Sequence, residues 1–108
     1  MYLVTGGGGF IGSHLVRELV RRGERVRVLD DSSSGSRERI ADVLDDVEWI
    51  AGDVRDSDAV LRACQGVEVV FHHAAIASVA RSVREPQMTH AVNLTGTLNV
   101  LAAARKAG

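Results

Sequence analysis

Four consecutive glycines, Gly6 to Gly9, follow a short apolar run, Tyr2-Leu3-Val4-Thr5, and precede an amphipathic one. Neither a helix interior nor a strand interior accommodates such a run, because ordering glycine has the largest backbone entropy cost of any residue. The run therefore marks a turn, with a strand before it and a helix after it. Helical spacing begins at once. Ile11, Leu15 and Leu19 recur four residues apart with Val16 and Val20 beside them, and Gly23 ends the pattern. Val26, Val28 and Leu29 then lead a second strand that closes on Asp30-Asp31.

Strand, glycine turn, helix, strand and terminal carboxylate are the parts of half a dinucleotide site. Gly7, Gly9 and Gly12 fit G-x-G-x-x-G, with Phe10 and Ile11 between the last two, while Gly6, Gly9 and Gly12 fit the wider G-x-x-G-x-x-G. Spacing alone says little; the position between strand and helix carries the reading. A first glycine allows the tight turn, Gly9 lets a pyrophosphate approach the backbone, and Gly12 lets the helix pack closely on the sheet. Free N–H groups at the helix start then face the phosphates. Asp30 stands at the spacing of a carboxylate that accepts both hydroxyls of an adenosine ribose. Its charge disfavours a 2′-phosphate, so NAD is expected over NADP unless Arg37 or Arg39 swings back to the ribose. Asp31, Ser33, Ser34 and Gly35 lie in the loop that would line the adenosine.

Further along, Val47-Glu48-Trp49-Ile50 forms a third strand, followed by Gly52-Asp53-Val54 on the same sheet edge. There Asp53 can accept from an adenine amino group while Val54 packs on the ring; as a plain loop residue, Asp53 would satisfy backbone N–H groups instead. Asp56 caps a helix that runs to Ala63. Val67 to Phe71 is a fourth strand, and His72-His73-Ala74-Ala75 leaves it with small residues that let a cofactor cross the sheet. A last helix runs from about Gln87 to Lys106, with Ala91, Leu94, Leu98 and Leu101 along one side. Three strand–helix alternations predict an α/β three-layer sandwich with parallel strands in the order 3-2-1-4. Residues 1–108 are then a partial dinucleotide-binding domain, truncated before a fifth strand and without a substrate domain. The open edge of the fourth strand invites self-association.

Other functions are poorly supported. Thirteen basic against fourteen acidic residues give a net charge of -1, which offers no field to hold a nucleic acid. Glu18 and Glu24 interrupt the basic run Arg21, Arg22, Arg25 and Arg27, which reads as solvated surface. Cys64 is alone, so it forms no intramolecular disulfide and reads as a buried, inert thiol. His72 and His73 lack a convincing third ligand, so no metal is expected. His14 and His90 read as surface or packing residues and Trp49 as core. No apolar run reaches membrane-spanning length and no basic leader precedes the first strand, so a cytoplasmic setting is expected.

Together these motifs resemble the extended short-chain dehydrogenase/reductases, within them the NAD-dependent nucleotide-sugar epimerases and dehydratases. The resemblance spans the whole chain. It rests on Thr5 to His14, on Asp30-Asp31 with Ser33-Ser34-Gly35, on Gly52 to Asp56, on His72 to Ala75 and on Asn93 to Val100. It implies a Rossmann-like fold in which the glycine turn takes pyrophosphate, Asp30 the adenosine ribose, and Asp53-Val54 the adenine. Ala74, Ala75 and Ala77 would line the nicotinamide-side cleft, and Asn93 would help organise the site from the last helix. Gly8 departs from the alanine often found there. The stretch Ala75 to Ser82 is most similar to UDP-sugar 4-epimerases, implying a full-length parent that interconverts UDP-glucose and UDP-galactose; a nucleotide-sugar dehydratase or decarboxylase is the alternative. The family's catalytic Tyr-x-x-x-Lys pair is missing, since Tyr2 and Lys106 are the chain's one tyrosine and one lysine. No catalytic residue is therefore expected here. A non-catalytic structural or regulatory module is a third reading, opposed by the intact glycines and Asp30.

Overall fold

The computed structural model describes residues 1–31, 37–74 and 83–107. Four parallel strands, β1 (Tyr2–Thr5), β2 (Val26–Asp30), β3 (Val47–Ala51) and β4 (Val69–His72), form one sheet in the order β3-β2-β1-β4. The strand order is the expected one. All four C-terminal ends, Thr5, Asp30, Ala51 and His72, meet at one sheet edge because every strand runs the same way.

The period-two alternation of the strands sorts side chains into two cores. Val4, Val26 and Val28 face α1 (Phe10–Arg21), where Val16 and Leu19 pack on them together with Ile40. Leu3 and Leu29 face the opposite way, onto α2 (Ser57–Ala63) and the C-terminal helical run, through Val60, Ala63, Cys64, Val92, Val100 and Ala103. This is a three-layer sandwich. Two short 3-10 turns, Arg37–Ile40 and Leu44–Asp46, join β2 to β3. Arg27 ties the sheet to the end of α2, donating at 2.7 Å to the carbonyls of both Ala63 and Gln65.

The C-terminal helical run begins with α3 (Pro86–His90), widens into a π turn over Ala91–Thr95, and continues as α4 (Gly96–Ala107). Its inward face differs from the leucine side singled out by the sequence. Leu94, Leu98 and Leu101 are 59%, 64% and 63% exposed, whereas Val92, Gly96, Val100 and Ala103 are buried. Both sets have helical spacing, so periodicity alone could not choose between them. Close approach decides it: a Cβ on Gly96 would lie 2.5 Å from Val54 Cγ2, and only the small-residue stripe fits there.

Several smaller expectations hold and two are adjusted. Cys64 is buried, and burial pushes its thiol up from the ordinary value. Glu18 accepts from Arg21 and Arg22, whose hydrogen bonds in that order hold its carboxyl down at about 2, so the basic run is partly neutralised. Trp49 is only half-buried, with the Arg37 guanidinium 5.8 Å from its ring centroid. β4 starts at Val69, two residues later than the apolar run suggests. No described helix is long and apolar enough to cross a membrane.

Asp56 caps α2 as expected, its carboxylate accepting from the N–H groups of Asp58 and Ala59 at 3.0 and 3.3 Å. Asp56→Ala is expected to cost about 1 kcal/mol. Urea unfolding should show a lower midpoint with an unchanged slope.

Candidate functional site

In the strand order β3-β2-β1-β4, the chain steps from β1 outward to β2 and β3 and then crosses back to place β4 on the other side of β1, and a crevice opens at β1 where the strand order reverses. Ligands of open parallel sheets occupy that crevice at the C-terminal strand ends. The glycine turn lies there. Gly6 continues the ladder, its N–H donating to Leu29 O at 2.8 Å, and then turns the chain with a φ of 72°, which L side chains rarely adopt. Gly6, not Gly7, is thus the turning glycine, and the wider Gly6-Gly9-Gly12 spacing is the operative one. Gly12 is constrained from the other side: a Cβ there would collide with Gly6 O.

Gly9 is the N-cap of α1. It provides no side chain to cap the helix, and the first turn carries no acidic residue. A helix start of this kind favours an anion, through its backbone N–H groups and the helix dipole. Phe10 and Ile11, 71% and 66% exposed, open beside it. The first turn of α1 is set by Ser13, whose buried hydroxyl donates to Phe10 O at 2.9 Å.

Asp30 ends β2 and is buried, with Oδ2 accepting from Gly8 N–H at 2.9 Å. The carboxylate is thereby fixed to the turn itself, an arrangement the spacing does not disclose. Asp31 is exposed beside it. From β3, Gly52 N–H donates to Asp30 O at 3.1 Å and brings Asp53 and Val54 to the same edge. The Asp53 carboxylate is engaged by Arg55: Oδ1 accepts its backbone N–H and Oδ2 its guanidinium, both at 2.8 Å. The Arg55 side-chain hydrogen bond is the main reason the Asp53 carboxyl is held below its ordinary value. Adenine would therefore meet an Asp53–Arg55 pair instead of a free carboxylate. Val54 is buried under Gly96.

On the other side of β1, the exit of β4 lies against the turn: a Cβ on Gly6 would meet Ala74 N and His73 C, each at 2.8 Å. Ala74 is thus brought to the crevice, and Asn93 lies in the π turn of the C-terminal helical run, a widening often found at functional sites. Arg37 lies over Trp49, and Arg39 is exposed, its carbonyl accepting from Arg17. Ser33, Ser34, Gly35, Ala75 and Ala77 lie outside the described residues. Among the described residues no cluster of His, Cys, Asp or Glu could hold a metal.

Four supporting residues were missed by the sequence reading. Thr5 Oγ1 accepts from Ala74 N–H at 3.2 Å, and His72 lies 2.6 Å from that hydroxyl. Thr97 meets the other side of the His72 ring. Asn99 donates to the carbonyls of Val54 and Arg55 at 2.9 and 3.2 Å, tying α4 to the loop after β3. For Thr97 and Asn99, polar residues within an apolar helix were the available signal; the pairing of Thr5 with His72 had none.

The chain matches the model of the NAD dependent epimerase/dehydratase family over residues 2–108. It is 46% identical over 109 residues to the UDP-glucose 4-epimerase of Mycolicibacterium smegmatis, covering 98% of this chain and 35% of that protein. The UDP-glucose 4-epimerase of Thermus thermophilus in complex with NAD superposes with a TM-score of 0.89 at 45% identity, over 99% of this chain and 34% of that one. A double mutant of DesIV, a dTDP-glucose 4,6-dehydratase from Streptomyces venezuelae with NAD bound, gives 0.92 at 36% identity, over 100% and 36%. The chain spans about a third of the length of these relatives.

Gly12→Ala tests the close approach on which the site depends. The methyl cannot be placed without moving Gly6 O or the start of α1, so a loss of about 1–3 kcal/mol in stability is expected. Thermal unfolding should show it as a lowered midpoint.

Proposed function

This chain belongs to the NAD dependent epimerase/dehydratase family, and from that premise we propose that it is the NAD-binding module of a nucleotide-sugar epimerase. The observation that carries the reading is the buried Asp30 carboxylate bonded to Gly8 N–H in a turn that leaves the start of α1 uncapped. Anion-seeking amides and a ribose-seeking carboxylate are then held in one rigid unit. NAD would supply a hydride acceptor at the nicotinamide; this chain's own residues bind and orient it. The turn from Gly6 through Gly9 to Gly12 receives the pyrophosphate, and Asp30 the adenosine ribose. Asp31, Ser33, Ser34 and Gly35 flank the adenosine, and Asp53 with Val54 borders the adenine. Phe10 and Ile11 belong to the pyrophosphate turn, Ala74, Ala75 and Ala77 line the nicotinamide side, and Asn93 helps organise the site from the C-terminal helical run.

The whole protein is proposed to act on a UDP-sugar, interconverting UDP-glucose and UDP-galactose. The likeness to DesIV supports a second reading, a nucleotide-sugar dehydratase, since the same cofactor half serves that protein. These 108 residues are proposed to bind without turnover. Tyr2, the chain's one tyrosine, packs edge-on against Phe71 in the sheet with ring centroids 6.2 Å apart, far from the acid/base role of a site tyrosine. A structural module without cofactor use is opposed by the anchored Asp30. We place the protein in the cytoplasm, with neither nucleic acid nor membrane as partner. Self-association would proceed through β4, whose Val69 is 43% exposed.

Calorimetric titration tests the cofactor assignment. NAD should bind saturably and more tightly than NADP. Asp30→Asn, which retains an acceptor for Gly8 N–H, should weaken NAD by about tenfold, the loss of one charge-assisted hydrogen bond. Asp30→Ala should weaken it further. A folded wild-type chain that binds no NAD at millimolar concentration would refute the assignment.

A further inference from the structure

His72 ends β4 in register with Thr5 of β1 and is half-buried, yet none of the contacts proposed for the cofactor uses it. Its Nδ1 lies 2.6 Å from Thr5 Oγ1 and its Nε2 lies 3.0 Å from Thr97 Oγ1 on α4. The Thr97 hydroxyl donates to Asn93 O at 2.6 Å. Thr5 Oγ1 accepts from Ala74 N–H at 3.2 Å and shares His73 N–H with its own carbonyl, both at 3.0 Å.

A hydroxyl has one proton to give. That of Thr97 goes to the Asn93 carbonyl, so Thr97 Oγ1 accepts from the ring and the imidazole proton sits on Nε2. Both lone pairs of Thr5 Oγ1 face backbone N–H groups, so its proton points at Nδ1. The chain runs in one direction, from Thr5 through His72 and Thr97 to Asn93. Reversal would leave Thr97 Oγ1 and Asn93 O 2.6 Å apart with no proton between them.

We propose, resting on the reading that the crevice takes NAD, that neutral His72 is a positioning residue for the nicotinamide-side wall and that proton uptake at Nδ1 releases that wall. A second ring proton would give Thr5 Oγ1 three donors for two lone pairs. The longest of its bonds, to Ala74 N–H, is the one to yield. Because the His73–Ala74 peptide fills the space beside Gly6, its release loosens the support behind the pyrophosphate turn.

The surroundings favour the neutral ring. Just past its own strand His73 is the neighbouring ionisable group, β1 presents Thr5, and α4 presents Thr97, Val100 and Leu101. Cys64, after α2, lines the same pocket with its thiol pushed up by burial. Glu68 lines it too, 3.4 Å from the N-terminal ammonium. Burial first, and then the charge of His73, holds the ring below its ordinary 6.5. The folded ring thus takes a proton less readily than the unfolded one. Its contribution to stability is complete above 6.5 and is lost as pH falls below that value.

Long-range proton–nitrogen spectra of the full chain, with His72 assigned by His72→Gln, test the proton order without any ligand. The expected result is the Nε2–H tautomer near neutral pH, with the ring titrating below the ordinary 6.5 and Thr97→Val altering the ring signals. The Nδ1–H tautomer, or titration of the His72 ring at or above 6.5, would overturn the proposal. Calorimetry across the same pH range, with NAD and with AMP, tests the positioning. On acidification NAD should lose about three- to tenfold more affinity than AMP, the scale of one net hydrogen bond. His72→Gln should remove that excess and His73→Gln should keep it. A constant NAD-to-AMP ratio in the wild type would overturn the positioning role. No NAD binding at any pH would defeat the cofactor reading and the role with it, while the ring spectra would still decide the proton order.

Discussion

The backbone of α1 passes so close to the glycine turn that no side chain fits between them. Gly12 lies beneath Gly6 O, and the β4 exit fills the other side of Gly6. This double contact fixes where the helix begins and which way its first amides point. It also fixes the distance between β1 and the exit of β4, the two walls of the crevice. Gly8 N–H then reaches Asp30, so the carboxylate of the neighbouring strand becomes part of the turn. The proposed anion and ribose sites are thus one structure.

The C-terminal helical run is the back wall of that structure. Gly96 and Asn99 hold Val54 and the loop after β3, while Thr97 holds His72 at the end of β4. One helix therefore sets both ends of the proposed cofactor cleft. Its inner stripe is made of small residues because it must come close to Val54, and its leucines are left outside. The π turn that carries Asn93 also carries Val92, which belongs to the core against which Ala74 packs.

Much of this was legible from residue order. The glycine run forces a turn, alternating valines mark strands with two buried faces, and Asp56 announces a helix start. Strand order followed from three consecutive strand–helix units. What could not be read were choices between equally periodic alternatives. Two stripes on the last helix have the same spacing, and only the approach to Val54 selects Val92, Val100 and Ala103. Two glycine patterns overlap, and only the positive φ at Gly6 selects one. Asp53 looks like a free acceptor in sequence, whereas Arg55 holds it in space. Pairings of long separation, such as His72 with Thr5 and with Thr97, leave no local pattern at all.

The Gly6–Gly12 turn and Asp30 are proposed to form one ready-made dinucleotide site. The most direct measurement is an amide proton–nitrogen titration of the chain with NAD. The amides of Gly8, Gly9, Phe10, Ile11 and Asp30 should shift together along one saturation curve, with those of α2 nearly still. Shifts confined to other surfaces, or a turn that stays unmoved while NAD binds elsewhere, would contradict the account.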